Sequence, residues 1–337
     1  MSKDQILIVT ESVDLHSDDM VHELRRQGHD PIRLNTEDIP LNTLQSFHLD
    51  GDRLRGEIRI QTNGRTIDVG AIRSIWWRRP NAFTLPEDLS EQELEFARGE
   101  IRHALGGLWA AVECYWVSFP AHIRQASWKL DQLKRAARLG FDVPRTLITT
   151  DPDAARAFLE QCGGQMIYKV MTDPMLALHK AIRPGDPAPV RPRAARTTLI
   201  ARENAALLDS IRSAHCQFQE YIPKQVELRV TVIGDEVFAA AIHSQEHPKT
   251  SLDWRHYEIQ IPYRKAELPP EIAERCLQFV RSYGLNFSAL DLILTPDGRY
   301  VFLENNPNGQ FMFVEKQVPE LKMTAALAGC LIRGANS

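Results

Sequence analysis

Near the end of the chain, Phe287-Ser-Ala-Leu-Asp-Leu-Ile-Leu294 is followed by a turn and then by Tyr300-Val-Phe-Leu-Glu-Asn-Asn306. Both runs are apolar and read as two paired strands. Side chains alternate faces along a strand, so Glu304 and Asn306 point the same way. With a four-residue loop, Pro296 to Arg299, the pairing sets Asp291 directly opposite Glu304. Two carboxylates facing each other across a ladder repel by a fraction of a kcal/mol to about 1 kcal/mol unless a cation sits between them. With the Asn306 carbonyl they make an all-oxygen set suited to a hard cation that also holds phosphates, hence magnesium. Acids scattered on a solvent-facing hairpin are the plain alternative. The apolar surroundings, Leu290, Leu292 and Ile293 on one strand and Val-Phe-Leu ahead of Glu304 on the other, argue against it.

Two lysines complete a phosphate site. Lys169 sits inside the short apolar run from Met166 to Met171, where a charge is costly to bury without an anionic partner. Lys129 lies on a helix expected over 126–139, with Ala126, Leu130, Leu133 and Ala137 on one face and Gly140 at the C-terminal cap. Phe218-Gln-Glu-Tyr-Ile222 offers backbone groups flanked by apolar side chains, an arrangement able to hold an adenine, although on local grounds alone an ordinary strand is the better reading.

The rest of the chain alternates strands and helices. Ile6 to Thr10, a helix ending near Gly28 and Pro31 to Leu34 make a β-α-β opening, and no GxGxxG turn follows the first strand, so a dinucleotide reading has no support. Ser90 and Glu93 have capping-box spacing ahead of Leu94, Ala97, Ile101, Leu105 and Leu108, an amphipathic helix. Asp151-Pro152 begins a third helix, and another is expected over 203–212. The stretch from Asp173 to Arg196 is rich in Pro and Arg and reads as a mobile loop. Gly234-Asp235 joins Val226–Ile233 to Glu236–His243 as a two-residue hairpin turn.

Composition narrows the function. The 337 residues, at roughly 150 per domain, fit two or three domains. A net charge of -4 gives no global field for nucleic acid or an anionic membrane, so anionic ligands must be met by local cations. No apolar run approaches the roughly 18 residues of a membrane span, and the start does not read as a signal peptide. The five cysteines are dispersed without a CxxC pair and read as reduced thiols of a cytoplasmic protein.

Taken in order, these features resemble the ATP-grasp fold, and more narrowly the microviridin-type peptide-modifying ligases, the graspetide synthetases. The carriers are Ile75-Trp-Trp-Arg-Arg-Pro80, Trp116-Val-Ser-Phe-Pro120, Lys129-Leu-Asp-Gln-Leu133, Val143-Pro-Arg-Thr-Leu147, His243-Ser-Gln245, Asp253-Trp-Arg255 and Leu303-Glu-Asn-Asn-Pro-Asn-Gly-Gln310. The resemblance implies an α/β architecture in which two α+β lobes clasp ATP behind an N-terminal α/β pre-ATP-grasp domain. The corresponding divisions are 1–120, 121–217 with the lid loop, and 218–337 with the metal site.

It further implies that Lys129 and Lys169 contact ATP phosphates, with Lys169 also near the adenine. Gln219, Tyr221 and Ile222 would line the adenine hinge, and Glu227 would bind the ribose. Asp291, Glu304 and Asn306 would hold Mg2+, while Arg229 would stabilise the transferred phosphoryl group. Arg78, Arg79, His243 and Arg255 are candidate contacts for an acidic precursor peptide. Three features depart from the family pattern: Ser118 and Trp128 stand where asparagine is common, Asn305 replaces an aliphatic residue, and the lid loop is rich in Pro and Arg.

The function expected is therefore an ATP-dependent ligase. It would activate Asp or Glu side chains of a ribosomally made precursor peptide and join them to Ser, Thr or Lys side chains as esters or amides. A homodimer is implied by the resemblance alone, and neither nucleic acid nor membrane is expected as a partner. The rivals are a ligase adding amino acids to a protein or small-molecule carboxylate, a non-catalytic ATP-binding regulator, and a kinase on a similar fold.

Overall fold

The computed structural model describes residues 4–172, 175–176, 193–194, 197–256 and 258–334. The chain opens with β1 (Gln5–Thr10), α1 (Leu15–Arg26) and β2 (Ile32–Asn35), the two strands pairing in parallel. Asp14 caps α1 by accepting from the His16 amide, and Gly28, at φ +84°, takes the left-handed turn after it. An antiparallel side sheet follows: β3 (Thr43–Asp50), β4 (Arg53–Ile60) and β5 (Thr66–Asp68). β6 (Ile72–Trp77) then returns beside β1. α2 (Glu91–Ala111) starts at the expected capping box, with both reciprocal Ser90–Glu93 bonds formed, and β7 (Tyr115–Val117) completes a four-stranded sheet in the order β2-β1-β6-β7.

Two helices follow, α3 (Pro120–Gln125) and α4 (Lys129–Arg138). The central sheet comprises β8 (Thr146–Thr149), β9 (Gln165–Lys169), β12 (Thr198–Ala201) and β13 (Cys216–Glu220) in the order β12-β9-β13-β8. α5 (Pro152–Gln161) packs on it, and the two-residue strands β10 (Met175–Leu176) and β11 (Arg193–Ala194) pair with each other. The rest of the loop from Asp173 to Arg196 lies outside the described residues. The C-terminal sheet comprises β14 (Val226–Ile233), β15 (Glu236–Ile242), β16 (Tyr263–Lys265), β17 (Phe287–Leu294) and β18 (Tyr300–Asn306) in the order β16-β15-β14-β17-β18. α6 (Pro270–Arg281) covers one face through Ile272, Cys276, Phe279 and Val280, and α7 (Met312–Gln317) and α8 (Met323–Arg333) end the chain.

The structure differs from the sequence reading in several places, among them the strand pair β10–β11 within the stretch read as a loop. The helix expected over 126–139 starts at Lys129, and its buried face is Gln132, Leu133 and Ala136, with Leu130 and Ala137 exposed. The polar Gln132 is drawn inside by hydrogen bonds that apolar periodicity does not register. The stretch expected as a helix over 203–212 is a 3-10 run, Arg202–Ser213, kinked at Asn204. The loop between β17 and β18 is five residues, because Leu294 pairs with Tyr300, and a bulge at Leu303 then restores Asp291 opposite Glu304. Finally, the division at 217/218 falls inside β13, which pairs wholly with β8 and β9. α3 and α4 pack on the C-terminal sheet, where Leu133 and Ala136 join Leu228, Leu290 and Phe302 in one core.

The N-terminal and C-terminal parts also share a core. Ile6, Ile8 and Trp76 pack with Phe287, Phe311, Leu327 and Leu331, and the Ser74 hydroxyl donates to the Leu331 carbonyl at 2.7 Å.

Candidate active site between two sheets

Strand register builds the site. Arg229 pairs with Asp291 across β14 and β17, and Asp291 with Glu304 across β17 and β18, so three charged side chains stand in one row. The first residue of α4 extends that row beyond the sheet edge, with Lys129 Nζ 2.8 Å from Glu304 Oε2. On the other side, Arg229 Nη1 donates to Asp291 Oδ1 at 2.8 Å and Nη2 to the Gln310 carbonyl at 2.9 Å. Asn306 Nδ2 donates to Asp291 Oδ2 at 3.1 Å. A side chain on Gly309 would lie 2.8 Å from Arg229 Nη2 and from Ala289, so glycine lets this loop close over the guanidinium.

These groups open into one continuous cleft between the central and C-terminal sheets. Its apolar end is lined by Ile167, Ile222, Leu252, Trp254, Ile293 and Leu303, with Gln219, Tyr221 and Glu227 beside them. Its polar end is lined by Lys129, Lys169, Thr172, Thr197, Arg255, Glu304 and Asn306. Lys169, Thr197, Arg255 and Glu304 border both ends.

The electrostatics follow from this crowding. Burial alone would raise the Glu304 pKa, but Lys129, Lys169 and Arg255 together hold it well below the usual carboxylate range. Burial lowers the Lys169 pKa, with Glu304 opposing. Burial raises that of Glu227, although Lys224 Nζ and Ser244 Oγ both donate to its Oε1 at 2.8 Å. Asp253 and Arg255 form a close pair, the guanidinium meeting both carboxylate oxygens at 2.9 and 3.1 Å, and this outweighs burial to bring Asp253 down to about 2.

The structure thus gathers Lys129, Lys169, Gln219, Tyr221, Ile222, Glu227, Asp291, Glu304 and Asn306 around one cleft, with Arg229 behind Asp291. The four residues expected at a peptide surface are dispersed. Arg255 lies in the cleft itself. Arg79 is exposed and pairs with Glu11 at 3.1 Å, and His243 sits 3.5 Å from Glu246. Arg78 is only 2% exposed: its Nη1 donates to the Asn308 carbonyl at 2.8 Å, the Asn308 amide donates back to the Arg78 carbonyl, and Asp14 lies 3.6 Å from its Nε. It clamps the N-terminal domain to the loop after β18.

The donor set fits a hard divalent cation. Asp291 and Glu304 supply carboxylate oxygens at one place, and the Asn306 amide nitrogen is engaged by Asp291, which leaves its oxygen to accept or ligate. Among the described residues no group of three or more His, Cys, Asp and Glu side chains is placed to hold a metal, so the candidate site is two carboxylates and an amide.

The chain is similar to proteins of known family and structure. Residues 5–124 match the family model of the MvdD pre-ATP-grasp domain. Macrocyclase MdnB from Microcystis aeruginosa is 30% identical, superposes with a TM-score of 0.78, and the match covers 98% of this chain and 99% of that one. The chain belongs to the ATP-grasp macrocyclases. Two further solved structures are similar over nearly their whole length. Macrocyclase MdnC of the same organism, solved with its precursor peptide MdnA, is 26% identical with a TM-score of 0.82, covering 98% of this chain and 99% of that one. A ligase of Chryseobacterium gregarium, solved with ADP and with a leader and core peptide, is 25% identical with a TM-score of 0.85, covering 98% and 96%. No curated protein sequence matches the chain.

In this macrocyclase, sequence reasoning missed several groups. Lys224 escaped because a lysine after a proline reads as solvated, yet it is buried against Glu227. Thr172, Thr197 and Leu252 carry no motif and reach the cleft only by folding. Gln132, on which the sequence reading placed no role, is buried beside Asn305. No helix among the described residues is long and apolar enough to cross a membrane.

Proposed function

We propose that the protein is an ATP-dependent ligase that activates Asp or Glu side chains of a ribosomally made precursor peptide and joins them to Ser, Thr or Lys side chains of the same peptide. The observation that carries the reading is the row Arg229, Asp291, Glu304 and Lys129 beside a cleft that Asp291 and Glu304 line together with the apolar Ile167, Ile222, Ile293 and Leu303. ATP would lie with its adenine among Ile167, Ile222 and Leu303 and its ribose at Glu227. Its phosphates would meet Lys129, Lys169 and Arg255.

Asp291, Glu304 and Asn306 would hold Mg2+, which screens the charge of the β- and γ-phosphates when bound. Arg229 fixes the Asp291 carboxylate through one nitrogen and anchors the following loop through the other. A substrate carboxylate oxygen attacks the γ-phosphorus, and ADP leaves. The hydroxyl or amine of a second side chain then attacks the acyl carbon of the resulting acyl phosphate and loses its proton, and inorganic phosphate departs. The net change to the peptide is loss of one water per link. Lys129 and Lys169 neutralise charge as it builds on the transferred group, and Arg255, which borders both ends of the cleft, would orient an incoming carboxylate.

The precursor is proposed to have an acidic core, and a cytoplasmic homodimer is proposed for the working enzyme. Incubation with the peptide encoded beside the gene, ATP and Mg2+ tests the reading. The expected product is lighter by one water mass per link. A heavier product redirects the assignment to amino-acid addition, and phosphate release without a mass change contradicts ligation.

A further inference from the structure

Of the three buried residues of α4, Gln132 alone is polar. It is wholly inaccessible. Its Oε1 accepts from the Asn305 N–H at 3.0 Å, and its Nε2 donates to the Asn305 carbonyl at 3.0 Å and to the Ala126 carbonyl at 2.6 Å. β18 is the edge of its sheet, so the side-chain amide supplies to Asn305 the pair of bonds that another strand would otherwise make. The Asn305 side chain, also buried, extends the lock: its Nδ2 donates to the Ala126 carbonyl at 3.3 Å and its Oδ1 accepts from Ser288.

The position of this lock gives it meaning. Asn305 lies between Glu304 and Asn306, and strand alternation puts those two on the cleft face while the Asn305 side chain points away. Lys129 precedes Gln132 by three residues, on the same side of the helix. One amide therefore fixes the distance between the helix bearing a phosphate-binding lysine and the strand bearing two metal ligands.

We propose that Gln132 is a positioning residue for the metal and phosphate end of the cleft, holding β18 so that Glu304 and Asn306 converge with Asp291 beside Lys129. The inference rests on the reading of the cleft as a magnesium–nucleotide site. A residue that only stabilised the fold would change the melting temperature and leave metal dependence alone. This one alters the metal dependence itself.

The test measures ADP binding to the full chain by calorimetry across a Mg2+ titration, with a metal-free control and a thermal melt for each variant. Gln132→Met keeps the volume and removes every hydrogen bond, whereas the nearly isosteric Gln132→Glu keeps the acceptor and turns the donor into an oxygen facing two carbonyls. In both variants the Mg2+ concentration for half-maximal effect is expected to rise roughly 10-fold or more, the range seen when groups behind metal ligands are lost. Metal-free ADP affinity is expected to change less than the Mg2+ dependence, since the apolar end is untouched. Asn305→Ala, which keeps both backbone bonds to Gln132, is expected to shift the titration less than either. Should Gln132→Met fail to fold, Gln132→Glu carries the test. A folded variant that melts lower but titrates with Mg2+ like the wild type overturns the proposal. A wild-type chain without Mg2+-dependent ADP binding overturns the nucleotide reading, and this inference with it.

Discussion

Asp291 and Glu304 face each other across β17 and β18, and each carboxylate has its own cation, Arg229 at 2.8 Å and Lys129 at 2.8 Å. The row is balanced in charge before any ligand enters. Four partly or fully buried charges therefore coexist without the repulsion that two bare carboxylates would impose.

Glu304→Gln removes one carboxylate of the proposed metal site and leaves Lys129, Lys169 and Arg255 without the anion they share. Ligation is expected to fall by more than the roughly 10- to 100-fold typical of changes behind metal ligands. The free protein is expected to lose on the order of 2 kcal/mol, between exposed and buried ion pairs. Chemical denaturation and peptide turnover measured on one preparation check both.

Lys169 has a pKa lowered by burial, with Arg255 and Lys129 acting in the same direction. Nucleotide phosphates favour its charged form, so binding on the alkaline side of neutrality is expected to take up a proton. Calorimetry in two buffers of different ionisation heat measures that uptake. Lys169→Arg, which stays charged, is expected to abolish it; equal uptake in both proteins contradicts the assignment.

Asp253 has a folded pKa of about 2 against an ordinary 3.8, because its hydrogen bonds and ion pair with Arg255 outweigh burial. A depressed carboxylate stabilises the fold fully above its unfolded pKa and loses that contribution as pH falls through the folded value. The pair is thus worth about 2 kcal/mol above roughly pH 4, fading toward pH 2. Denaturant melts of the wild type and Asp253→Asn are expected to differ at about pH 6 and converge in strong acid.

Arg78→Ala breaks the clamp to Asn308 and leaves Asp14 short of a cation. A loss of about 3 kcal/mol is expected, with peptide binding affected only through folding. Arg79→Ala, at an exposed site, is expected to stay within about 0.5 kcal/mol. A weaker peptide complex with unchanged stability in Arg78→Ala would return that arginine to the peptide surface.

The strands, the capped helices and the carboxylate pair were legible because they rest on local rules: alternation, capping spacing and turn length. Even so, Asp291 reached its partner through a five-residue loop and a compensating bulge at Leu303, a cancellation that periodicity does not encode. Arg78 and Gln132 are buried for a shared reason that periodicity does not show. A polar side chain is assigned to the surface unless its partners are visible, and theirs come from Asn308, Asn305 and Ala126, of which only Ala126 is near in sequence. The nucleotide end was legible mainly by resemblance, because Lys224, Thr197 and Leu252 acquire their places only when the two sheets meet.

A peptide carboxylate is expected to attack ATP before it is joined to its partner. Precursor peptide carrying heavy oxygen in its Asp and Glu carboxylates, incubated with the protein, ATP and Mg2+, tests this directly. Capture as an acyl phosphate moves one labelled oxygen per link into the released inorganic phosphate, detected by mass spectrometry. Links formed with unlabelled phosphate would contradict the account.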